Sequence, residues 1–387
     1  MNRFIYPLAT STWDQDELDA IQRVVETRQF TMGEKVEAYE IGFADYQDSR
    51  YAVMVNSGSS ANLLMVAALF FKSTGPLKPG DEVIVPAVSW STSYTPLHQY
   101  GLKLKFVDVD VETLNFDLNS LESAVSENTR LIMAVNLLGN PNEFNRIKKI
   151  IGTRDIVLIE DNCESLGAEY DGKKAGSFGV MGSFSSFFSH HISTMEGGII
   201  TTNDEELYHI LLSLRAHGWT RNLPKQNKIT PPKSDDPFEE SFRFVLPGYN
   251  LRPLELSGAI GIEQLKKLPN LINGRRENAY RFQQVMRVHD DIIIQKECGS
   301  SSWFGFSMVI RPGAARTRDE LRQSLAEKGF ECRPIVAGNF TLNPVMKFFN
   351  AEVHGSLTNA SHVHHNGLFI GNHHYDVSKI LNILKTV

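Results

Sequence analysis

From residue 51 to about residue 202, apolar runs of four or five residues alternate with longer stretches whose apolar positions fall at helical spacing. Residues 51–55 (Tyr-Ala-Val-Met-Val) read as a strand and residues 61–71 as a buried helix. Strands follow at 81–85, 104–107, 130–134 and 156–159, with helical stretches near 92–100, 118–125 and 143–151 between them. Short strands alternating with amphipathic helices predict βα units, hence an α/β fold whose large domain has a mostly parallel sheet flanked by helices. Two of the strands run out into polar residues, Asn56-Ser57 and Glu160-Asp161. Sheets of this kind bind ligands at their carboxyl edge, so the chemistry is expected there.

The rhythm changes after residue 202. Residues 205–216 read as one helix. Residues 221–240 are polar and hold Pro224, Pro231, Pro232 and Pro237, which fits no core element and predicts a long extended loop. A helix resumes over 254–268 and continues beyond Pro269 into 271–288, and the remainder from about residue 291 predicts a smaller C-terminal α+β domain. The expected division is 1–260 for the large domain and 261–387 for the small one. No internal repeat or low-complexity segment interrupts it.

Composition narrows the class without changing this picture. Hydrophobic residues make up 42% and charged residues 22% of 387, the balance of an ordinary globular protein. The longest apolar runs, such as 63–71, are about half a membrane span, so no membrane association is expected. The apolar stretch at the N-terminus is too short for a secretory signal. The net charge is −6 and no long basic run exists, which argues against nucleic acid as a partner. Cys163, Cys298 and Cys332 show no CxxC spacing, so a reducing cytoplasm is the expected location and no metal site is expected.

Three segments carry candidate chemistry. The first, Asn56-Ser-Gly-Ser-Ser-Ala-Asn62, joins a strand to a helix. Gly58 permits a tight turn, and Ser59 and Ser60 offer hydroxyls and backbone N–H groups at a helix N-terminus. That arrangement suits a phosphate, with a plain serine N-cap as the competing reading. The second is Ile159-Glu-Asp-Asn-Cys-Glu-Ser165. Asp161 lies where a buried strand ends, and a carboxylate there needs a cationic or N–H partner to stay charged. A pyridinium nitrogen is one such partner, and a helix cap is the alternative role. The third, Phe184-Ser-Ser-Phe-Phe-Ser-His-His-Ile-Ser-Thr-Met-Glu-Gly-Gly198, sets His190 and His191 side by side in an aromatic, serine-rich segment.

In this order and at these spacings, the three segments resemble the sugar aminotransferases that make amino sugars from nucleotide-linked 4-keto sugars, the DegT/DnrJ/EryC1/StrS family. Phe30-Thr-Met-Gly33, Pro86-Ala-Val-Ser-Trp90 and Gly248-Tyr-Asn-Leu-Arg252 extend the likeness over most of the chain. The resemblance implies a fold-type-I aminotransferase whose large domain binds pyridoxal 5'-phosphate or pyridoxamine 5'-phosphate. Gly58, Ser59 and Ser185 would hold the phosphate, Trp90 would stack on the pyridine ring, and Asp161 would bond the ring nitrogen. Glu164 falls where the family commonly has Gln or His near the ring hydroxyl. Asn250 would reach the phosphate of the neighbouring subunit's cofactor, which implies a homodimer with shared active sites.

The chain departs from the family six residues before Glu196. The family's cofactor-linking lysine belongs there, and this sequence has His190. No lysine occurs between Lys174 and Lys225, so no shift of register supplies one. An imidazole cannot form the covalent link, but it can serve as general base and acid near neutral pH. In this the chain is similar to the family's branch of 3-dehydratases, a similarity carried also by residues 188–198, by Arg215-Ala-His-Gly-Trp-Thr-Arg-Asn-Leu-Pro224 and by Glu331-Cys-Arg-Pro-Ile335. It implies a lyase that uses pyridoxamine phosphate to remove the C3 hydroxyl of GDP-4-keto-6-deoxy-D-mannose. The products would be GDP-4-keto-3,6-dideoxymannose and ammonia, with L-glutamate as amino donor and His190 as base and acid.

Other 3-dehydratases of the family pair the histidine with an iron–sulfur cluster. Such clusters commonly need four cysteines, and three widely spaced ones do not provide them. His191, adjacent to His190, points elsewhere and reads as structural. For the nucleotide-linked 4-keto-6-deoxy sugar, Arg221, Arg252 and Arg333 are candidates, since arginine binds phosphate bidentately, and His217 lies near Arg221 in sequence. Two other functions compete. An aminotransferase on a nucleotide-linked keto sugar or sugar acid would need another route to the cofactor. A non-catalytic cofactor-binding protein, such as the aminotransferase-like half of a regulator, would be expected to carry an attached DNA-binding domain, and a purely structural role would not explain why the other cofactor positions remain while only the lysine is replaced.

Overall fold

A computed structural model describes residues 5–387. Helices α1 (Gln15–Thr27) and α2 (Glu34–Tyr46) come first. The predicted alternation follows: β1 (Tyr51–Val55), α3 (Gly58–Leu69), β2 (Glu82–Pro86), α4 (Ser91–Gln99), β3 (Lys103–Val107), α5 (Leu118–Ala124), β4 (Thr129–Val135), α6 (Phe144–Ile151) and β5 (Val157–Asp161). A ribbon of β6 (Glu169–Tyr170) and β7 (Lys173–Lys174) leads to β8 (Met181–Ser185), β9 (Gly198–Thr202), α7 (Glu205–Arg215), the one-turn α8 (Pro237–Glu240) and the long α9 (Glu255–Met286). The chain ends with β10 (Ile292–Ile294), β11 (Gly305–Ile310), α10 (Arg318–Glu327), β12 (Cys332–Arg333), β13 (Ala351–Val353), α11 (Thr358–Asn366), β14 (Gly367–Gly371) and α12 (Ser378–Leu381).

The main sheet has eight strands in the order β1-β9-β8-β5-β4-β2-β3-β13. From β8 to β13 every neighbour is parallel, and β9 alone runs antiparallel to both of its partners. Helices cover both faces, which is why these strands read as continuous apolar runs. On one face α3 is wrapped on nearly all sides, its Leu64, Met65 and Val66 fully buried. On the other, Leu121 of α5 and Phe144 and Ile147 of α6 pack against Ile84, Ile132 and Leu158.

The second sheet, β10-β11-β14-β12, is antiparallel and has its own core around Phe282, Phe306, Leu321 and Ile370. The junction between residues 260 and 261 lies inside α9, which serves both cores. Two segments cross over. Strand β13 joins the main sheet beside β3, and Tyr6 packs in the second core with its hydroxyl donating to the Gly371 carbonyl at 3.0 Å. Helix α9 runs unbroken through Pro269, because Leu268, Leu271 and Ile272 on either side are buried against α2 and the sheet. In the 221–240 loop, Glu240 accepts from Thr220 Oγ1 (2.6 Å) and the Ser234 N–H (2.8 Å), while Phe238 and, just past the loop, Phe242 remain exposed.

Candidate active site

The carboxyl ends of β1, β2, β4, β5 and β8 converge on one cavity of about 920 Å³. The segment 331–337 and Phe304 close it from the small-domain side, and Leu8 and Ala9 reach its rim.

One corner has the groups that could hold a phosphate. Ser57 caps α3, its Oγ accepting from the Ser60 N–H at 3.1 Å. The first-turn N–H groups of Gly58 and Ser59 have no acceptor within the helix and carry the positive end of its dipole. A Cβ on Gly58 would stand 2.6 Å from Ser185 Cβ and 3.0 Å from Cys163 Sγ, so the turn closes only on glycine. Ser59 Oγ donates to Thr92 Oγ1 at 3.1 Å.

The floor is Asp161, at the end of β5. Its Oδ2 accepts from Asn62 Nδ2 (2.8 Å) and Ser93 Oγ (2.7 Å), and its Oδ1 from the Cys163 N–H (3.1 Å). Ser183 Oγ donates to Asn62 Oδ1 at 2.6 Å, which turns the Asn62 amide so that its N–H₂ faces the carboxylate. Glu164 has one donor, the Leu138 N–H at 2.9 Å. Burial pushes its carboxyl up to about 7, the Leu138 bond opposing and the Asp161 charge adding. Leu138 is buried in a left-handed conformation (φ 53°), a strained geometry for a branched side chain that aims its N–H at Glu164. Glu160 points away from the cavity and accepts from the N–H groups of Gly176, Phe178 and Gly179 at 2.6–2.7 Å. It holds the β5–β8 connection.

His190 sits on the connection between β8 and β9, its N–H donating to the Phe187 carbonyl at 2.9 Å. Its Nδ1 lies 3.5 Å from Ser189 Oγ, and its ring stands edge-on to Phe304 at 5.1 Å. Burial, reinforced by the Arg275 charge, pushes its pKa down to about 4, so the ring is a neutral proton acceptor at neutral pH. His191 turns the other way. It is buried with Nε2 3.0 Å from the Ser302 carbonyl, so that nitrogen carries the proton. Among the described residues no lysine lines the cavity.

Gly58, Ser59, Trp90, Asp161, Glu164, Ser185, His190 and Arg333 all line this one cavity. Arg333 lies 3.4 Å from Glu331, and Trp90 is 57% exposed at the mouth. His217, Arg221, Asn250 and Arg252 are not in the lining. They gather on the surface around Trp219: the guanidinium of Arg221 lies 4.5 Å and that of Arg252 5.9 Å from its ring, His217 is 4.9 Å away, and Arg252 Nε donates to Asn250 Oδ1 at 3.0 Å. Sequence alone did not mark Ser93, Asn62, Glu331 or Phe304 as site residues. Asn62 closes the Asn56–Asn62 segment, where its spacing of one helical turn from Gly58 was the available signal, and Glu331 opens the segment that carries Arg333. Nothing local marked Phe304.

The lining fits pyridoxal or pyridoxamine phosphate. A phosphate would meet first-turn N–H groups in a cradle that a Cβ would fill, and a protonated ring nitrogen would meet a carboxylate held by three donors. Chemically, the site can hold a phosphorylated heteroaromatic ring and move a proton beside it through a neutral imidazole.

Over residues 11–379 the chain matches the sequence profile of the DegT/DnrJ/EryC1/StrS aminotransferase family. It is 60% identical over 385 residues to the GDP-4-keto-6-deoxy-D-mannose 3-dehydratase of Yersinia pseudotuberculosis, covering 98% of both chains. Its structure matches that of a GDP-4-keto-6-deoxymannose-3-dehydratase with a trapped PLP-glutamate geminal diamine at a TM-score of 0.97, with 60% identity over 98% of this chain and 99% of that one. It matches a mutant of such a dehydratase with bound GDP-perosamine equally, at a TM-score of 0.97 and 59% identity over 98% and 99% of the two chains.

Proposed function

The chain belongs to the DegT/DnrJ/EryC1/StrS aminotransferase family, and from that premise we propose that it is a pyridoxamine-phosphate-dependent 3-dehydratase rather than an aminotransferase. The observation that carries this reading is His190: the cavity keeps the phosphate cradle and the Asp161 floor, and an imidazole stands where the family has its lysine. The substrate is GDP-4-keto-6-deoxy-D-mannose. With L-glutamate and water accounted for, the products are GDP-4-keto-3,6-dideoxymannose, 2-oxoglutarate and ammonia. Identity of 60% to a dehydratase of that substrate supports the choice.

When bound, the cofactor supplies an amine for the sugar's C4 carbonyl and a ring that accepts the electron pair released at its methylene carbon. Gly58, Ser59 and Ser185 would hold the phosphate, and Trp90 would cover the ring face. Asp161 would keep the ring nitrogen protonated. His190 would take the proton from the methylene carbon and, as imidazolium, protonate the departing C3 hydroxyl. A lysine at this position would instead deliver the proton to the sugar's C4 and so complete a transamination. Arg333, on the small-domain side, is placed for the nucleotide. His217, Arg221, Asn250 and Arg252 serve the cavity of a neighbouring subunit in a homodimer, a reading supported by their place outside their own cavity and by the exposed Phe238, Phe242 and Phe244 beside them. Among the described residues no helix is long and apolar enough to cross a membrane. We place the enzyme in the cytoplasm, in deoxysugar biosynthesis.

The test is to incubate the protein with pyridoxal phosphate, L-glutamate and GDP-4-keto-6-deoxy-D-mannose, reading ammonia and product mass. A sugar one oxygen lighter, formed with equimolar ammonia, is expected. A sugar carrying a new amino group, with no ammonia released, would identify an aminotransferase instead.

A further inference from the structure

Helix α9 carries a cation that the reaction above does not use. Arg275 is 4% exposed. Its Nη1 donates to the carbonyls of Asn372 (2.7 Å) and Phe304 (3.2 Å), and its own carbonyl accepts from Asn372 Nδ2 at 3.0 Å. Its Nε has no partner, and Tyr6 is its only titratable neighbour of acidic type among the described residues. A guanidinium buried without a carboxylate is costly and calls for a reason.

The reason lies on the far side of Phe304. That residue is gripped twice by its backbone: its carbonyl by Arg275, and its N–H by the Leu138 carbonyl at 3.0 Å, in the same strained turn that holds Glu164. The side chain between these two grips lines the cavity. Its ring centroid is 5.1 Å from that of His190 at an interplanar angle of 61°, and 5.8 Å from that of His191. We propose that Arg275 is a positioning residue for His190: its buried guanidinium fixes the Phe304 carbonyl and thereby holds the Phe304 ring against the catalytic imidazole.

The unpaired charge acts in the same direction. After burial itself, Arg275 is the influence that lowers the pKa of His190, and it acts likewise on His191, His373 and His374. A second cation beside it is disfavoured, so His190 stays a free base. The other titratable groups lining the cavity with His190 are Asp161, Cys163, Glu164 and Glu196 on the large-domain wall and Glu331 and Arg333 on the small-domain side. Arg276, next along α9, is engaged by the carbonyls of Ser301 (3.0 Å) and Gly167 (2.9 Å).

The proposal rests on His190 as the proton carrier, and its test separates the two ideas. The His190 midpoint is read by NMR titration of the full-length protein without cofactor, and ammonia release is followed against pH with cofactor and glutamate. Arg275→Met keeps length and loses charge. It raises the His190 midpoint by about one unit toward the ordinary value, moves the acid limb of the rate profile up with it, and lowers kcat roughly tenfold at unchanged KM for the sugar nucleotide. Arg275→Lys keeps the charge, retains the low midpoint and recovers part of kcat. Phe304→Leu, which leaves the charge and the backbone carbonyl in place, covers the case in which the Met variant fails to fold. It keeps the midpoint low and lowers kcat. A folded Met variant with the wild-type midpoint, or Phe304→Leu at full kcat, overturns the proposal. A raised midpoint in a protein that releases no ammonia from any 4-keto sugar would sink the dehydratase reading and leave the Arg275–His190 linkage standing.

Discussion

Two carboxylates three residues apart share one wall of the cavity and differ in hydrogen-bond supply, three donors for Asp161 and one for Glu164. Burial raises the Glu164 carboxyl, with the single Leu138 bond opposing and the Asp161 charge adding. The consequence is measurable in stability. The Glu164 carboxyl stands at about 7 in the fold against 4.5 as its ordinary value, so folding favours its protonated form. Below pH 4.5 both states are protonated and the group contributes no pH dependence. As pH rises toward 7 the unfolded chain ionises first, and the fold loses stability. Glu164→Gln has no such loss. Its unfolding free energy in urea, measured in the cofactor-free protein, should gain on wild type from pH 4.5 to 7, by on the order of 1–3 kcal/mol, and hold that lead above. A constant difference across this range would mean that the carboxyl titrates normally. His190 belongs to the same scale. His190→Asn keeps polarity and approximate size but accepts no proton at neutral pH. It should bind pyridoxamine phosphate, seen by its absorbance after gel filtration, and lose ammonia release by a factor on the order of 10²–10⁴. Undiminished release would remove His190 as the base.

Between elements, the tightest constraint is the crossing of α2 and α9. Helix α2 begins at Gly33, which offers no side chain to cap it. Glu255 of α9 does so from outside, accepting from the N–H groups of Gly33 and Lys35 at 2.6 Å each and of Val36 at 3.3 Å. The approach is close because Gly258 stands one turn on. A Cβ there would lie 2.6 Å from Val36 N and 2.7 Å from Val36 Cα, against backbone that cannot rotate away. Alanine normally favours a helix over glycine by about 1 kcal/mol. Here the overlap reverses the sign, and Gly258→Ala should destabilise the fold by about 1–3 kcal/mol in urea unfolding. A variant as stable as wild type would show that α2 can slide without breaking the Glu255 cap. The run Phe30-Thr-Met-Gly33 was legible as family-like, but that its glycine meets α9 was not, since the partner lies more than two hundred residues away.

At the scale of the whole molecule, one surface favours the shared-site dimer proposed above. Phe238, Phe242 and Phe244 are 86%, 73% and 54% exposed, near a cluster of Trp219, Arg221 and Arg252 that stands outside the lining of the cavity. Exposed aromatics grouped in this way mark a surface that another protein covers. Sedimentation velocity at working concentration should show a dimer. Arg221→Ala should raise KM for the sugar nucleotide while leaving cofactor absorbance unchanged. A fully active monomer would break both the shared-site reading and the assignment of Asn250.

Local chemistry in the sequence determined the βα alternation, the glycine turn at Gly58 and the polar ends of the buried strands, while the phosphate and ring-nitrogen roles and the exchange of a lysine for His190 were legible only through the family resemblance. The first group is written in neighbouring residues: an apolar run long enough for a strand or a helix, a glycine where the chain must turn, a polar residue where a buried strand ends. Only the tertiary structure decided which groups share the cavity. It brought Arg333 into the lining and left His217, Arg221, Asn250 and Arg252 outside, joined β13 to the main sheet, and set Phe304 between Arg275 and His190. These outcomes depend on how distant segments pack. A pKa or a ring contact follows from burial and from charges that no neighbouring residue supplies, and so it becomes defined only when the chain closes on itself.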